Sequence, residues 1–99
     1  MNGITFGDYI RKRREEIELP LRKVAAHLDI DTSTLSKMER GERTASPGYL
    51  KPLSEILKLD LKEVQTTFIA DKITKDFGGL EHLREGLKEA EKQIKEAKK

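Results

Sequence analysis

The chain of 99 residues is 38% charged and 35% hydrophobic, with 20 Lys+Arg against 18 Asp+Glu for a net charge of +2. So short and ionic a chain supports one small core, and its near balance of charge excludes a protein that coats nucleic acid through bulk positive charge, so a basic footprint has to be local. The absence of cysteine excludes a disulfide scaffold and a thiolate metal site, and no apolar run approaches the roughly 18 residues of a membrane span.

The opening MNGITFGDYI lacks the basic start and apolar core of a secretory signal, so a soluble cytoplasmic protein without a membrane partner is expected. Thr5 followed by Asp8 has the form of a capping box, and Phe6, Tyr9, Ile10 and Ile17 then give a helical stripe, predicting a first helix over residues 6–18. Leu19-Pro20 breaks it. Leu21, Val24, Ala25 and Leu28 repeat at helical spacing and make a second helix of barely two turns. Asp29 suits a left-handed turn residue, and Asp31 caps a third helix that begins at Thr32, turns Leu35 and Met38 inward and stops at Gly41.

Ser46-Pro47 reads as the cap and first turn of a fourth helix with Leu50, Leu53, Ile56 and Leu57 on its apolar side. Asp60 with Glu63 predicts another capping box, opening a fifth helix through Val64, Phe68, Ile69 and Ile73 to the interruption at Gly78-Gly79. No segment alternates with the period of a strand, so the fold class is all-α.

The second and third helices, joined by a tight turn, have the form of a helix-turn-helix. A third helix that spends Leu35 and Met38 on the core leaves Thr32, Ser33, Ser36 and Lys37 outward. These side chains are short or flexible enough to let the helix enter a major groove and bond to base edges or phosphates, and the N–H groups at its start add affinity for a phosphate.

The segment LPLRKVAAHLDIDTSTLSKMERGERTASPGYLKPLSEIL resembles the XRE family of lambda-repressor-like (Cro-like) DNA-binding domains, the resemblance covering residues 6–64. Its most specific pieces are Val24-Ala25, Ser33-Thr34-Leu35-Ser36, and Met38-Glu39-Arg40-Gly41 followed by Ser46-Pro47. The resemblance implies a compact five-helix domain in which Thr32, Ser33 and Lys37 read base edges of double-stranded DNA and Ser36 assists. It implies that Arg40 and Arg43 hold phosphates, and that Arg14 and Glu39 form a partly buried ion pair bracing the recognition helix. Where the family commonly opens its second helix with Ser or Thr and then Gln, this chain has Pro20 and Leu21, so Arg22 or Lys23 is expected to replace the missing phosphate anchor. Asp29 replaces the usual glycine of the turn.

Other features admit plainer readings. The run Arg11 to Arg14 is either a phosphate contact or a solvated face diluted by Glu15, Glu16 and Glu18. His27 and His82 have no metal-binding partner at ligand spacing, and no nucleophile–base pair or phosphate-binding glycine loop is present, so neither an enzyme nor a cofactor or metal is expected.

Beyond Gly79, the positions Leu80, Leu83, Leu87, Ala90, Ile94 and Ala97 take the spacing of a coiled-coil seam, although Gly86 interrupts the helix and the flanking charges give a weak pairing code. This predicts a C-terminal amphipathic helix and divides the chain into a DNA-binding domain at residues 1–66 and an extension at 67–99. The helix is either a solvated arm or a dimerisation segment carried by Leu80, Leu83, Leu87 and Ile94. Phe68, Ile69, Ile73 and Phe77 of the fifth helix either join that interface or fold back onto the core.

The first 60 residues hold 11 Lys+Arg and 10 Asp+Glu. So little net charge gives weak non-specific affinity, which favours a homodimer on a palindromic operator. The expected function is a sequence-specific transcriptional regulator, a dimeric repressor or controller that reads DNA with residues 32–40. The alternative is an antitoxin or accessory protein whose C-terminal helix binds a partner protein.

Overall fold

The computed structural model describes residues 5–98. The helices are α1 (Phe6–Glu16), α2 (Leu21–His27), α3 (Thr32–Glu39), α4 (Leu50–Leu57), α5 (Leu61–Phe77) and α6 (Leu83–Ala97), with a 3-10 turn at Pro47–Tyr49 before α4. No strand occurs among the described residues, and no helix there is long and apolar enough to cross a membrane. The expected division at residues 66 and 67 runs outward to residues 1–4 and 99, which lie outside the described residues.

Local chemistry sets most of the helix starts. The Thr5 hydroxyl accepts the Asp8 N–H at 3.1 Å, and the Asp31 carboxylate accepts the Thr34 N–H at 2.8 Å. Ser46 caps the 3-10 turn instead of the fourth helix itself, because Pro47 and Gly48 take one tight turn before the apolar face of α4 begins at Leu50. The capping box expected at Asp60 and Glu63 does not form: Asp60 makes no side-chain cap bond. Glu63 is drawn away by a stronger partner, accepting the Tyr9 hydroxyl of α1 at 2.6 Å.

The helix ends share one device. After α1, α2, α3 and α4 a single residue turns left-handed, and the next N–H reaches back to a carbonyl five residues earlier: Leu19 to Arg14, Ile30 to Ala25, Glu42 to Lys37 and Leu59 to Ser54. The left-handed residues are Glu18 (φ 54°), Asp29 (φ 58°), Gly41 (φ 78°) and Lys58 (φ 56°). α1 therefore stops at Glu16, two residues short of the expected boundary, because Glu18 is already in the turn.

The core gathers Phe6 and Ile10 from α1, Val24 and Leu28 from α2, Leu35 and Met38 from α3, Leu50, Leu53 and Leu57 from α4, and Val64 from α5. Burying these apolar side chains supplies the main driving force for so small a domain. Where α1 crosses α3 the backbones touch: a Cβ at Gly7 would lie 2.5 Å from the Glu39 carbonyl oxygen.

α5 returns along α1, its Phe68 ring meeting Phe6 edge to face with centroids 5.3 Å apart. One turn further on, the Asp71 carboxylate accepts the Phe6 N–H at 3.1 Å, occupying a donor that the start of α1 leaves open. Phe68 thus folds back onto the core, whereas Ile69 and Phe77 stay half in solvent. The final helix begins at Leu83, not directly after Gly79, because residues 78–82 form turns in which the Leu80 N–H bonds to Phe77 and the Leu83 N–H to Leu80. Leu80 accordingly precedes the helix and is not part of its regular seam.

Candidate nucleic-acid interface

α3 is held from behind. Leu35 and Met38 are buried in the core, and so is Glu39, whose carboxylate receives the Arg14 guanidinium in a two-pronged contact: Nε to Oε2 at 2.8 Å and Nη2 to Oε1 at 3.0 Å. The third prong of Arg14 donates to the Leu19 carbonyl at 3.1 Å. One α1 side chain therefore ties the last turn of α3 to the α1–α2 loop. Hydrogen bonding to Glu39 raises the Arg14 pKa, so the guanidinium stays charged.

The outer face carries Thr32, Ser33 and Lys37, all exposed, with Ser36 half-buried beside them. The start of the helix is less open than expected. Asp31 takes the Thr34 N–H and accepts the Ser33 hydroxyl at 3.2 Å, so at Thr34 the terminal donor is satisfied by a carboxylate and not left for a phosphate. Those bonds, first from Thr34 and then from Ser33, hold the Asp31 pKa below its usual range, keeping the cap ionised.

Beyond the helix, Arg40 lies between two partners. Its Nε and Nη2 donate to the Glu42 carboxylate at 2.8 and 3.3 Å, and its Nη1 donates to the Ser36 hydroxyl. Mutual hydrogen bonding raises the Arg40 pKa and lowers that of Glu42. The pair is exposed, so it is weak. Ser36 is thereby joined to Arg40 on the same surface. Arg43 follows in the exposed turn, and it lines a small pocket with Lys72 and Lys75 of α5.

Arg22 and Lys23 are exposed in the first turn of α2. The basic run of α1 divides. Arg13 donates to the Leu57 and Lys58 carbonyls at 2.9 and 3.2 Å, closing the end of α4, and Arg14 braces Glu39. Arg11 pairs with Asp8 at 3.4 Å, while Lys12 is exposed. Two of the four charges thus serve the fold. His27 lies 3.8 Å from Glu55, and among the described residues no group of three or more His, Cys, Asp or Glu is placed to hold a metal.

The expected base-reading residues and Arg40 therefore share one ridge, with Arg14 and Glu39 beneath it. Leu83, Leu87 and Ile94 lie apart on α6, with Leu80 in the turn before it. Sequence reasoning missed the Glu42 clasp on Arg40, the Arg13 lock on α4 and the Asp71 cap on α1. The last two join residues 44 and 65 positions apart, which no local pattern reveals.

Residues 10–64, more than half of the chain, match a family model described as helix-turn-helix. No curated protein and no solved structure matches the chain.

Proposed function

The chain belongs to the XRE family of helix-turn-helix proteins and is a DNA-binding transcription regulator, and on that premise we propose that it is a homodimeric repressor or controller of a palindromic operator. The observation that carries the reading is the ridge of Thr32, Ser33 and Lys37 on a helix fixed from behind by Arg14 and Glu39. A helix so braced enters a major groove without first being ordered, and its short polar side chains leave room for base edges. Ser36 and Arg40 act as a unit: Arg40 leaves Glu42 for a phosphate, and Ser36 steadies it. Arg22, Lys23 and Arg43 supply further backbone contacts around the same groove.

Two such helices, one from each copy, occupy successive major grooves, and occlusion of a promoter follows. No catalytic step and no cofactor enters this account, and the protein works in the cytoplasm where its DNA is. The test is protection of DNA fragments by the purified protein at about 150 mM salt. A discrete footprint with two-fold symmetry supports the reading. A salt-sensitive smear without a preferred site refutes it.

The apolar cleft between α5 and α6 favours one second reading, an antitoxin or accessory subunit whose C-terminal helix binds a different protein. A stable complex of one chain with a distinct protein, formed in place of a self-dimer, would replace the homodimeric account.

A further inference from the structure

We propose that α6 pairs antiparallel with α6 of a second copy of this chain, and that Arg84 and Glu91, flanking the seam, fix that orientation. The inference rests on the dimeric reading above and specifies how the two copies meet. Along α6 the apolar residues Leu83, Leu87, Ala90, Ile94 and Ala97 keep coiled-coil spacing. Their own chain leaves the seam open: Leu87 is 42% and Ile94 56% exposed. α5 reaches only one end of it, where Ile73 and Phe77 face Leu83 and Leu87 across a cleft of about 610 Å³.

The seam is complementary to itself in one direction. In an antiparallel pair centred between Lys88 and Glu89, Leu87 lies against the second copy's Ala90 and Leu83 against the second copy's Ile94, each contact occurring twice by symmetry. Large meets small at the centre, and no seam residue from Leu83 to Ile94 faces a polar one. In the same register Arg84 approaches the second copy's Glu91, again twice. A parallel pair sets Gly86 beside Glu91 and Gln93 beside Lys98, with no ion pair at all. Charge complementarity therefore selects the antiparallel arrangement.

Gly86 points the same way. A Cβ added there would meet nothing within 4 Å in its own chain, so no contact inside one copy requires a glycine in this helix. In the antiparallel pair Gly86 faces the second copy's Gln93, and the absent side chain lets the helices come close.

Arg84→Glu and Glu91→Arg, made separately in the full chain, test the pairing by sedimentation equilibrium. The unaltered protein is expected at the mass of two chains. Each variant alone is expected to dissociate at least about tenfold more readily, because its homodimer carries two like-charge contacts. An equimolar mixture is expected to recover two-chain mass, because both contacts are then opposite in charge. A mixture that fails to recover, single variants that dimerise as before, or an unaltered protein of one-chain mass each overturns the proposal. Helical circular dichroism identifies a variant that has lost its fold, and Arg84→Gln with Glu91→Gln then replaces it, with weakened pairing expected from each and undiminished pairing counting against the proposal. Binding of the dissociated variants to a half-operator reports on α3 separately, so a failure of pairing is distinguishable from a failure of DNA reading.

Discussion

Arg14 and Glu39 meet through two parallel hydrogen bonds of 2.8 and 3.0 Å across 25 positions of sequence, with side chains only 15% and 6% exposed. A charge so buried is stable only while its partner remains. Arg14→Met strands the Glu39 carboxylate and is expected to cost about 3 kcal/mol or more in urea unfolding. Arg14→Met combined with Glu39→Leu removes both charges and should recover most of that loss. A double variant as unstable as the single one would show that the Arg14 bond to the Leu19 carbonyl, and not the stranded charge, carries the loss.

Lys37 and Arg40 should separate in DNA binding. Lys37→Ala is expected to cost the preferred operator about 1–3 kcal/mol while leaving unrelated DNA nearly unchanged. Arg40→Ala is expected to weaken every sequence alike and to flatten the salt dependence by about one phosphate. Glu42→Gln frees Arg40 from its clasp and should tighten binding to all sequences. Titrations of operator variants at several salt concentrations read all three effects.

Gly7→Ala forces a methyl group into the Glu39 carbonyl, so α1 and α3 must move apart. The expected loss is about 1–3 kcal/mol of stability, together with weaker operator binding as α3 shifts in its seat. An alanine variant with unchanged melting temperature and affinity would show that the crossing is looser than the structure has it.

Lys58 at φ 56° occupies a conformation that glycine enters at no steric cost. Lys58→Gly is expected to stabilise by up to about 1 kcal/mol, since the Arg13 bonds to the Leu57 and Lys58 carbonyls involve only backbone acceptors there. Gly41→Ala, at φ 78°, should change stability by a similar amount in the opposite direction. Both shifts are read from thermal melts.

Burial, and then the hydrogen bond to Glu63, raises the Tyr9 phenol pKa well above its ordinary 10.0. The folded state therefore keeps a proton that the unfolded state releases. The stabilisation is fully present below pH 10 and declines as pH rises from there toward the raised folded value. Tyr9→Phe is expected to remove this part of the alkaline loss. Unfolding curves of both proteins between about pH 8 and pH 11 test it; coincident pH slopes would exclude the effect.

Several elements were legible because their signals are local. Pro20, Asp31 and Gly41 set the ends of α2 and α3 through backbone chemistry within a few residues, and helical spacing alone separates Leu35 and Met38 from Thr32, Ser33 and Lys37. The failed capping box at Asp60 shows the limit, since Glu63 answers to Tyr9 54 positions away. Glu18 and Lys58 adopt left-handed backbone with no residue preference to announce it. At the candidate interface the outward residues could be read from the pattern, but the rotamers that bind Ser33 to Asp31 and Arg40 to Glu42 could not.

Phe6 and Gly7 stand at a junction: the Phe6 N–H is held by Asp71 of α5, its ring meets Phe68, and the next residue touches the backbone of α3. Two adjacent residues thus link the long helix that leads to the C-terminal arm with α3. A push on α5 is therefore felt at α3 through a solid linkage, and only beyond Phe77, where the chain turns at Gly78-Gly79, does the arm gain a joint of its own.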